Sequence, residues 1–292
     1  MGVSKRYLKL GLMVILSVLG SALPFLLVAP VIRVAHKNFS SGAFWTSYLL
    51  GVLILVGFGL IPVAISLLSV TLLMGLFSEI YKRYRNMFAA GFPAVAVSAA
   101  VTVSATQQWL ISKGTTLALR LQEQVQIVLK QAQQVNSMVK IEPEYLLGQV
   151  PSVLAALLIM SLALALILET PISRLFGFAT ESEDKLHLLD FKLPDSYIWI
   201  AMVSFLFSFI DIGNKSVSMA ATNVVNVMVV LYFFQGLAVV EAFFAALRVG
   251  FFVRFLTYAV FLVQLFFLVA AIGVIDFWVE FRRRFLRLRL NH

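Results

Sequence analysis

Several polar side chains, Arg254 and Gln264 among them, interrupt the last long apolar segment of the chain, residues 218–276, and five others are its first candidates for chemistry. They are Asn223, Asn226, Gln235, Glu241 and Arg248. A charged side chain at the centre of a bilayer costs about 2.5–3.5 kcal/mol on insertion scales, so such groups face protein or water and mark functional sites by default. Carboxamides can hold a polar ligand by hydrogen bonds without any charge. We therefore predict that these five residues bind a ligand.

A structural interpretation of the same residues stays open. Asn223 and Asn226 share one helix face and can equally join two helices by hydrogen bonds. Glu241 can lock two helices through an ion pair, and the long stem of Arg248 can reach the headgroups. Glu241 and Arg248 lie about 10.5 Å apart along a helix axis, so each should pair with another helix. Asp276, just before Phe277-Trp278 and a run of arginines, should pair with those arginines and fix the C-terminal helix.

Signatures of enzymes and cofactors are missing from the sequence. None of the three histidines, His36, His187 and His292, has a second ligand nearby at zinc spacing, and cysteine is absent. Neither a GxSxG nucleophile elbow nor a phosphate-binding loop of the form GxxxxGKS or GxxxxGKT occurs. We expect no enzyme activity, no metal site and no cofactor.

Composition places the candidate residues in a membrane protein. The chain is 61% hydrophobic and only 13% charged, with a mean hydropathy of +0.96, which excludes an ordinary water-soluble globule. Its apolar runs are continuous rather than alternating, which favours helices over a β-barrel. A crossing helix needs about 20 apolar residues, so the chain has room for about eight. The predicted fold is all-α, a polytopic transmembrane helical bundle of about eight spans with an amphipathic extramembrane helical insert.

The sequence divides into three segments. Residues 1–106 carry the N-terminal transmembrane helices, residues 107–150 form a Gln-rich amphipathic helical insert, and residues 151–292 carry the C-terminal transmembrane helices and a basic tail. The insert has an apolar stripe from Thr115 to Lys140 at coiled-coil-like spacing, formed by Leu117, Leu121, Val125, Val128, Ala132, Val135 and Val139. This stripe predicts a helix that lies on the bundle, on the membrane surface or against a protein partner.

Individual spans follow from proline, glycine and small residues. Residues 10–34 predict either one kinked span or a short hairpin that turns at Gly20. Residues 44–80 predict two spans, the second beginning at Pro62, because proline prefers a first helical turn. Residues 87–106 are rich in small side chains, so this span should pack inside the bundle. The next span is predicted to run from Pro151 to about Leu168, with Glu169 in a polar loop.

The net charge of +9 comes from bases that stand beside apolar runs. This position is typical of cytoplasmic anchors that also contact anionic lipid, and it argues against a nucleic-acid partner. The clusters are Lys5, Arg6 and Lys9, then Lys82, Arg83 and Arg85, and last Arg282, Arg283, Arg284, Arg287 and Arg289. We predict a multi-pass inner-membrane protein with cytoplasmic N- and C-termini. The plain count of five spans between the second and third clusters is odd, so one segment is miscounted or one cluster is not cytoplasmic.

The C-terminal half resembles a known family. The segments KLPDSYIWI at 192–200, FFQGLAVVEAFF at 233–244 and IGVIDFWVEFRRR at 272–284, together with Asn223 and Asn226, resemble the YybS-like family of bacterial integral membrane proteins. That family is remotely similar to the S components of energy-coupling-factor vitamin transporters and to the cell-shape protein MreD. The resemblance implies a multi-helix bundle that holds a small molecule among its helices, but it carries over no ligand residues. The long Gln-rich insert and the extra N-terminal spans depart from an S component.

Two functions are compatible with the sequence. The chain can be a small-molecule-binding or transport subunit that works with a separate ATPase coupling module, since it has no nucleotide motif of its own. Alternatively it can be a non-enzymatic membrane scaffold or cell-envelope protein that recruits partners through the Thr115–Lys140 helix or the basic C-terminus. The residues alone do not separate these two hypotheses.

Overall fold

The computed structural model describes residues 3–21, 28–135, 142–178, 191–210, 214–247, 249–250, 253, 256–258, 260–261 and 264–290. Within these ranges the ordered structure is helical and contains no strand. The chain forms two compact units, Met1–Ser182 and Glu183–His292. Arg248 and Arg254 lie outside the described residues, as do residues 136–140 at the end of the predicted insert helix.

The described helices of the first unit are α1 (Val3–Gly20), α2 (Ala29–Asn38), α3 (Ser41–Gly57), α4 (Ile61–Tyr84), α5 (Met87–Ser112), α6 (Leu117–Val135), α7 (Pro143–Gly148) and α8 (Val150–Leu175). The second unit has α9 (Ser196–Phe209), α10 (Lys215–Ala246), α11 (Phe266–Val279) and α12 (Phe281–Leu290).

Four helices of the described part are long and apolar enough to cross a membrane, namely α4, α5, α8 and the Lys215–Phe244 portion of α10. Shorter apolar helices accompany them: Tyr7–Gly20, Ser41–Gly57, Ser196–Phe209 and Phe266–Val279. The predicted all-α membrane bundle is thus confirmed. Its spans are less uniform than the length rule suggests, because half-length helices are mixed with full-length ones.

Local sequence explains where several helices begin. Pro62 stands in the first turn of α4, as predicted, where its missing N–H costs nothing. Asn86 caps α5 by accepting hydrogen bonds from the backbone N–H groups of Phe88 and Ala89. Asn214 caps α10 in the same way through the N–H of Ser216. The turn between α4 and α5 is therefore tight, and the two helices pack as an antiparallel pair.

Two predictions about spans are wrong. The small-residue helix α5 does not lie inside the bundle: only Ala90, Ala94, Ser98 and Leu110 are buried, a stripe that mostly faces α4 while the rest points outward. The helix α8 does not end near Leu168 but continues through Pro171 to Leu175. Glu169 is therefore a helical residue, held by partners on α2 rather than placed in a loop.

The insert forms the predicted helix over Leu117–Val135, but the predicted stripe is misplaced at two positions. Val128 and Val135 are 56% and 90% exposed, whereas Leu129 is buried. The predicted stripe assumes the coiled-coil period of 3.5 residues per turn, but a straight helix has about 3.6. The covered face of α6 therefore runs through Leu121, Val125 and Leu129, at intervals of four residues. The exposed Val128 lies outside that covered face.

In the second unit α10 and α11 pack backbone against backbone. A Cβ atom placed on Gly236 would overlap the carbonyl oxygen of Val269, and one placed on Gly273 would overlap the carbonyl oxygen of Tyr232. Only glycine permits such an approach, which is the way small residues join helices in lipid. Phe233 stacks on Phe266 beside this contact, with ring centroids 4.4 Å apart.

Candidate functional site

The helices α1 and α2 form a hairpin that enters the first unit at one end and returns to that end. Lys9, near the start of α1, donates from Nζ to the carbonyl oxygen of Phe176 at 2.6 Å, just beyond α8. Lys37, near the end of α2, binds Glu169 in the last turns of α8. At the turn, Gly20 packs against the side chain of Val28. Of the two possibilities predicted for residues 10–34, the hairpin is confirmed.

The two helices of this hairpin differ in length. The 18 residues of α1 rise about 27 Å, whereas the ten residues of α2 rise about 15 Å, roughly half of a 30 Å hydrocarbon core. The Ser17 and Tyr48 hydroxyls lie 3.3 Å apart, and α3 then continues nine residues beyond Tyr48 to Gly57. Both ends of the hairpin therefore lie at the same end of the first unit, and Val28, just before α2, is only 3% exposed.

A buried arginine connects the hairpin to two spanning helices. Arg33 on α2 is 8% exposed. Its Nε donates to Glu169 Oε2 at 3.1 Å and its Nη1 donates to Ser78 Oγ on α4 at 2.5 Å. Lys37 donates to the other oxygen of Glu169 at 2.5 Å, so two cations share a single carboxylate. Because a buried ion needs both a counter-charge and hydrogen bonds, these contacts fix the position of α2.

A second acid holds the end of the hairpin through a histidine. His36 Nε2 and Glu79 Oε1 lie 2.8 Å apart, and Ser41 donates its hydroxyl proton to the same carboxylate oxygen at 2.6 Å. His36 is fully buried, and its ring packs edge-on against Phe44. Burial lowers the pKa of His36, and the nearby Lys82 and Arg33 add to this effect although Glu79 opposes it. The neutral imidazole therefore donates from Nε2 to the carboxylate.

Together these contacts form an ionic network, defined here as Arg33, His36, Lys37, Glu79 and Glu169 with the hydroxyls of Ser41 and Ser78. It gathers residues from α2, α3, α4 and α8 at the end of the first unit where the hairpin enters. The side chain of Glu79 is 38% exposed and that of Lys37 is 30% exposed. The network is thus buried at Arg33 and reaches the surface at its rim. These contacts can hold α2 against α4 and α8, and the exposed ones at the rim can be replaced by contacts with water.

The opposite end of the first unit contains a cavity of about 150 Å³ between α4, α5 and α8. Four hydroxyl groups line it, those of Ser66, Ser69, Thr102 and Thr106, and its remaining walls are Pro62, Ile65, Trp109 and Leu154. Thr102 donates to Ser69 Oγ at 2.7 Å across the α4–α5 contact. No lining residue carries a charge.

The predicted ligand residues Asn223 and Asn226 lie on α10 and are partly buried. The Nδ2 group of Asn223 donates to the carbonyl oxygen of Met219 one turn earlier. The two carboxamides share a helix face, as their spacing requires. Their role as ligand residues stays a prediction.

Gln235 and Glu241 lie further along the same helix. Gln235 is 2% exposed and joins three segments, because it accepts from the N–H of Leu193 at 3.1 Å and donates to the carbonyl oxygen of Gly273 at 3.1 Å. Glu241 accepts a hydrogen bond from the hydroxyl of Tyr258. Asn223 and Glu241 are about 27 Å apart along the axis. The described candidates therefore cannot all contact one small ligand, and Arg248 lies outside the described residues.

The prediction for Asp276 is confirmed. Its carboxylate is 5% exposed and pairs with Arg282, whose Nη2 lies 3.0 Å from Oδ2. Arg282 also donates to the carbonyl oxygen of Phe191 at 2.7 Å. The pair therefore connects the start of α12 with α11 and with the segment that precedes α9.

Sequence reasoning missed the ionic network. The sequence predicts Glu169 in a loop and suggests no partner for His36 beyond a zinc ion, and Arg33 attracts no prediction of its own. The available signal was the position of Glu79 and Glu169 near the C-terminal ends of two apolar helices, where carboxylates oppose the helix dipole and need a cation. The short cationic helix α2 supplies those cations.

Comparison with known proteins gives one match. A family model described as "Predicted membrane protein (DUF2232)" matches residues 8–277. No curated protein and no solved structure matches the chain.

Proposed function

We propose that this chain, which belongs to the DUF2232 family of predicted membrane proteins, is a non-catalytic subunit that binds a small molecule within the membrane and takes part in its transport. A separate ATPase coupling module supplies the energy, since the sequence has no nucleotide-binding motif. The protein is a multi-pass membrane protein in contact with the lipid bilayer. Its placement in the bacterial inner membrane is part of the proposal.

The observation that carries this proposal is the hairpin α1–α2, whose two ends lie at the same end of the first unit and whose second helix is only ten residues long. Under the proposal this hairpin is re-entrant, and helices that stop within the bilayer are typical of proteins that form or gate a path through it. Here Arg33, Lys37 and Glu169 lie at the base of the hairpin. Arg33 is the buried charge of this group, and buried charges that face a membrane bundle are candidates for transport pathways.

The resemblance to YybS-like proteins supports the same function. It rests on residues 193–284, and that family is remotely similar to transporter S components and to MreD. The family match over residues 8–277 is compatible with this resemblance, but its description says only that the family is one of predicted membrane proteins. Under the proposal Asn223 and Asn226 remain the best ligand candidates of the second unit, because they are close enough to bind one molecule together.

Orientation follows from charge. Lys9, Lys82, Arg83, Arg85 and Arg174 belong to the end of the first unit at which the hairpin enters, called the basic end from here on. The positive-inside rule places this end in the cytoplasm together with the N-terminus. Since α5 leads away from it and α8 leads back, α6 and α7 then lie on the opposite side of the membrane. The basic tail of the chain favours a cytoplasmic C-terminus by the same rule.

The test is purification from native membranes in mild detergent, with mass spectrometry of retained small molecules and co-purifying proteins. We expect a stoichiometric metabolite, or an ATPase pair with a membrane coupling subunit. Glu169→Gln should lower the retained metabolite because it frees the hairpin. Glu123→Gln is the matched control, since Glu123 pairs with Arg120 only at the exposed surface of α6. Recovery of cell-envelope proteins without any metabolite would contradict the proposal.

A scaffold function is the second candidate, and one observation favours it. Val128 and Val135 on α6 are 56% and 90% exposed, which leaves apolar side chains for a protein partner. Val128→Asp should then release co-purifying partners, whereas Gln126→Asp, the same charge at an exposed polar position, should not. Complexes that survive Val128→Asp unchanged would remove this candidate.

A further inference from the structure

We infer that the hydroxyl-lined cavity of the first unit binds a small, uncharged, flat molecule that has hydrogen-bonding groups on a single ring. The inference deepens the proposed function and rests on it, because it names the class of ligand. The cavity is formed by Ser66 and Ser69 on α4, by Thr102, Thr106 and Trp109 on α5, and by Leu154 on α8.

Size sets the first limit on the ligand. A cavity of about 150 Å³ corresponds to a single benzene-sized ring. Trp109 supplies an aromatic face, and the side chains of Ile65 and Leu154 complete apolar walls, so a flat ring fits better than a chain. A nucleotide or a lipid tail exceeds this volume.

Charge sets the second limit. A ligand that enters this cavity leaves water. An ion would find no counter-charge there, because none of the described lining residues is Asp, Glu, Lys, Arg or His. This contrasts with the ionic network, where every buried cation faces a carboxylate. The cavity therefore selects against both anions and cations of the same shape.

Hydroxyl chemistry sets the third limit. Each serine or threonine hydroxyl offers one donor and two acceptor positions. Ser69 lies about 12 Å from the start of α4, and its contact with Thr102 forms the deep end of the cavity. Thr102 also reaches the carbonyl oxygen of Ser98 at 2.6 Å, so its proton has an alternative acceptor and the Ser69–Thr102 bond can be exchanged. A ligand with both a donor and an acceptor, such as an amide, satisfies this end.

Three isosteric probes test the inference: benzamide, which is neutral, benzoate, which is anionic, and benzamidinium, which is cationic. Binding to the full chain in lipid nanodiscs is measured by saturation-transfer NMR, with empty nanodiscs to subtract partition into lipid. We expect benzamide to bind at least tenfold more tightly than either charged probe. Ser66→Leu fills the cavity and should weaken benzamide binding at least tenfold, whereas Ser104→Leu on the exposed side of α5 should leave it unchanged.

Equal binding of the three probes, no benzamide binding, or equal binding by the Ser66→Leu and wild-type chains would overturn the inference. Thr102→Val provides a second variant that keeps the side-chain shape and removes only the hydroxyl; it should also weaken benzamide binding. The proposed function can fail separately. If the cavity prefers benzamide but native purification yields neither metabolite nor ATPase, the site stands and transport does not. If native purification yields a charged metabolite, transport stands and this ligand class does not.

Discussion

In the first unit the α1–α2 hairpin is held by charged side chains from α2, α4 and α8, whereas in the second unit α10 and α11 meet through their backbones at Gly236 and Gly273. The charged contact joins long side chains, and its exposed members can exchange their partners for water. The glycine contact leaves none, and Gln235 fixes it further through Gly273. One membrane protein thus contains a contact suited to motion and a contact suited to rigidity.

This difference indicates which helix contacts tolerate substitutions. In lipid there is no hydrophobic drive between helices, so packing and polar contacts decide which helices stay together. At a glycine pair a single added Cβ atom forces the two helices apart, so one substitution disrupts the whole contact. In an ionic network each pair can be weakened separately, so stability is lost in smaller steps. Four substitutions or conditions can break or sharpen this contrast, taken here in order of decreasing effect.

The largest effect is expected for the double substitution Gly236→Ala and Gly273→Ala. Both methyl groups would overlap carbonyl oxygens of the facing helix, so we expect a loss of about 4–5 kcal/mol or more, in the range of exceptional destabilisation. Unfolding in mixed micelles, followed by circular dichroism, measures it. Gly11→Ala with Gly57→Ala is the control, because no atom lies within 4 Å of either added methyl group. A stable double mutant would refute the backbone contact.

Glu169→Gln should have the next largest effect. The variant leaves Arg33 buried without a counter-charge, and removal of one partner from a buried pair costs about 3–5 kcal/mol. The matched Glu123→Gln change breaks an exposed pair, worth about 0–1 kcal/mol. Thermal unfolding of the two variants in the same detergent compares them. Equal melting temperatures would show that the network does not hold the hairpin.

Acid should loosen the first unit by a smaller amount. Burial lowers the pKa of His36 below its ordinary 6.5, so the unfolded chain binds this proton more readily than the folded chain. The stabilisation is full above about pH 6.5 and is lost as the pH falls below it toward the folded pKa. Unfolding measured from pH 7.5 to 5.5 should show this slope, and His36→Gln should flatten it. An unchanged slope in that variant would assign the titration to another group.

The smallest effect is expected for Thr102→Val on the stability of the first unit. It removes the hydrogen bond to Ser69, and interhelical hydrogen bonds of this kind average about 0.6 kcal/mol in membranes. The same unfolding assay detects it beside Ser104→Ala as an exposed control. A loss of several kcal/mol would mean that α4 and α5 depend on this hydroxyl as strongly as α10 and α11 depend on their glycines.

Much of the fold could be predicted from local sequence. Continuous apolar runs predicted a helical membrane bundle, Pro62 located the start of α4, and Asp276 with its neighbouring arginines predicted the ion pair that forms with Arg282. These features depend on residues close together in the chain. Their physical causes, hydropathy, proline geometry and charge pairing, act over a few residues.

The ionic network could not be predicted because it depends on tertiary contacts. Arg33 and Glu169 are 136 residues apart in the chain, and each lies at the edge of its own apolar run, so no local pattern pairs them. The sequence overestimates how much of α5 is buried. Small residues permit close packing, but they do not specify how many faces of the helix contact other helices. The cavity has no motif, since serine and threonine every three or four residues are also typical of helix contacts.

The most direct test of the re-entrant hairpin uses the absence of cysteine from the chain. Single cysteines at Tyr7, Ser40, Phe58 and Lys130, all exposed positions, are labelled with a membrane-impermeant maleimide from each side of oriented vesicles. We predict that Tyr7→Cys and Ser40→Cys react from one side and that Phe58→Cys and Lys130→Cys react from the other. The buried Ser21→Cys should react from neither side. Labelling of Tyr7→Cys and Ser40→Cys from opposite sides, or of Ser21→Cys from the side of Phe58, would contradict the re-entrant hairpin.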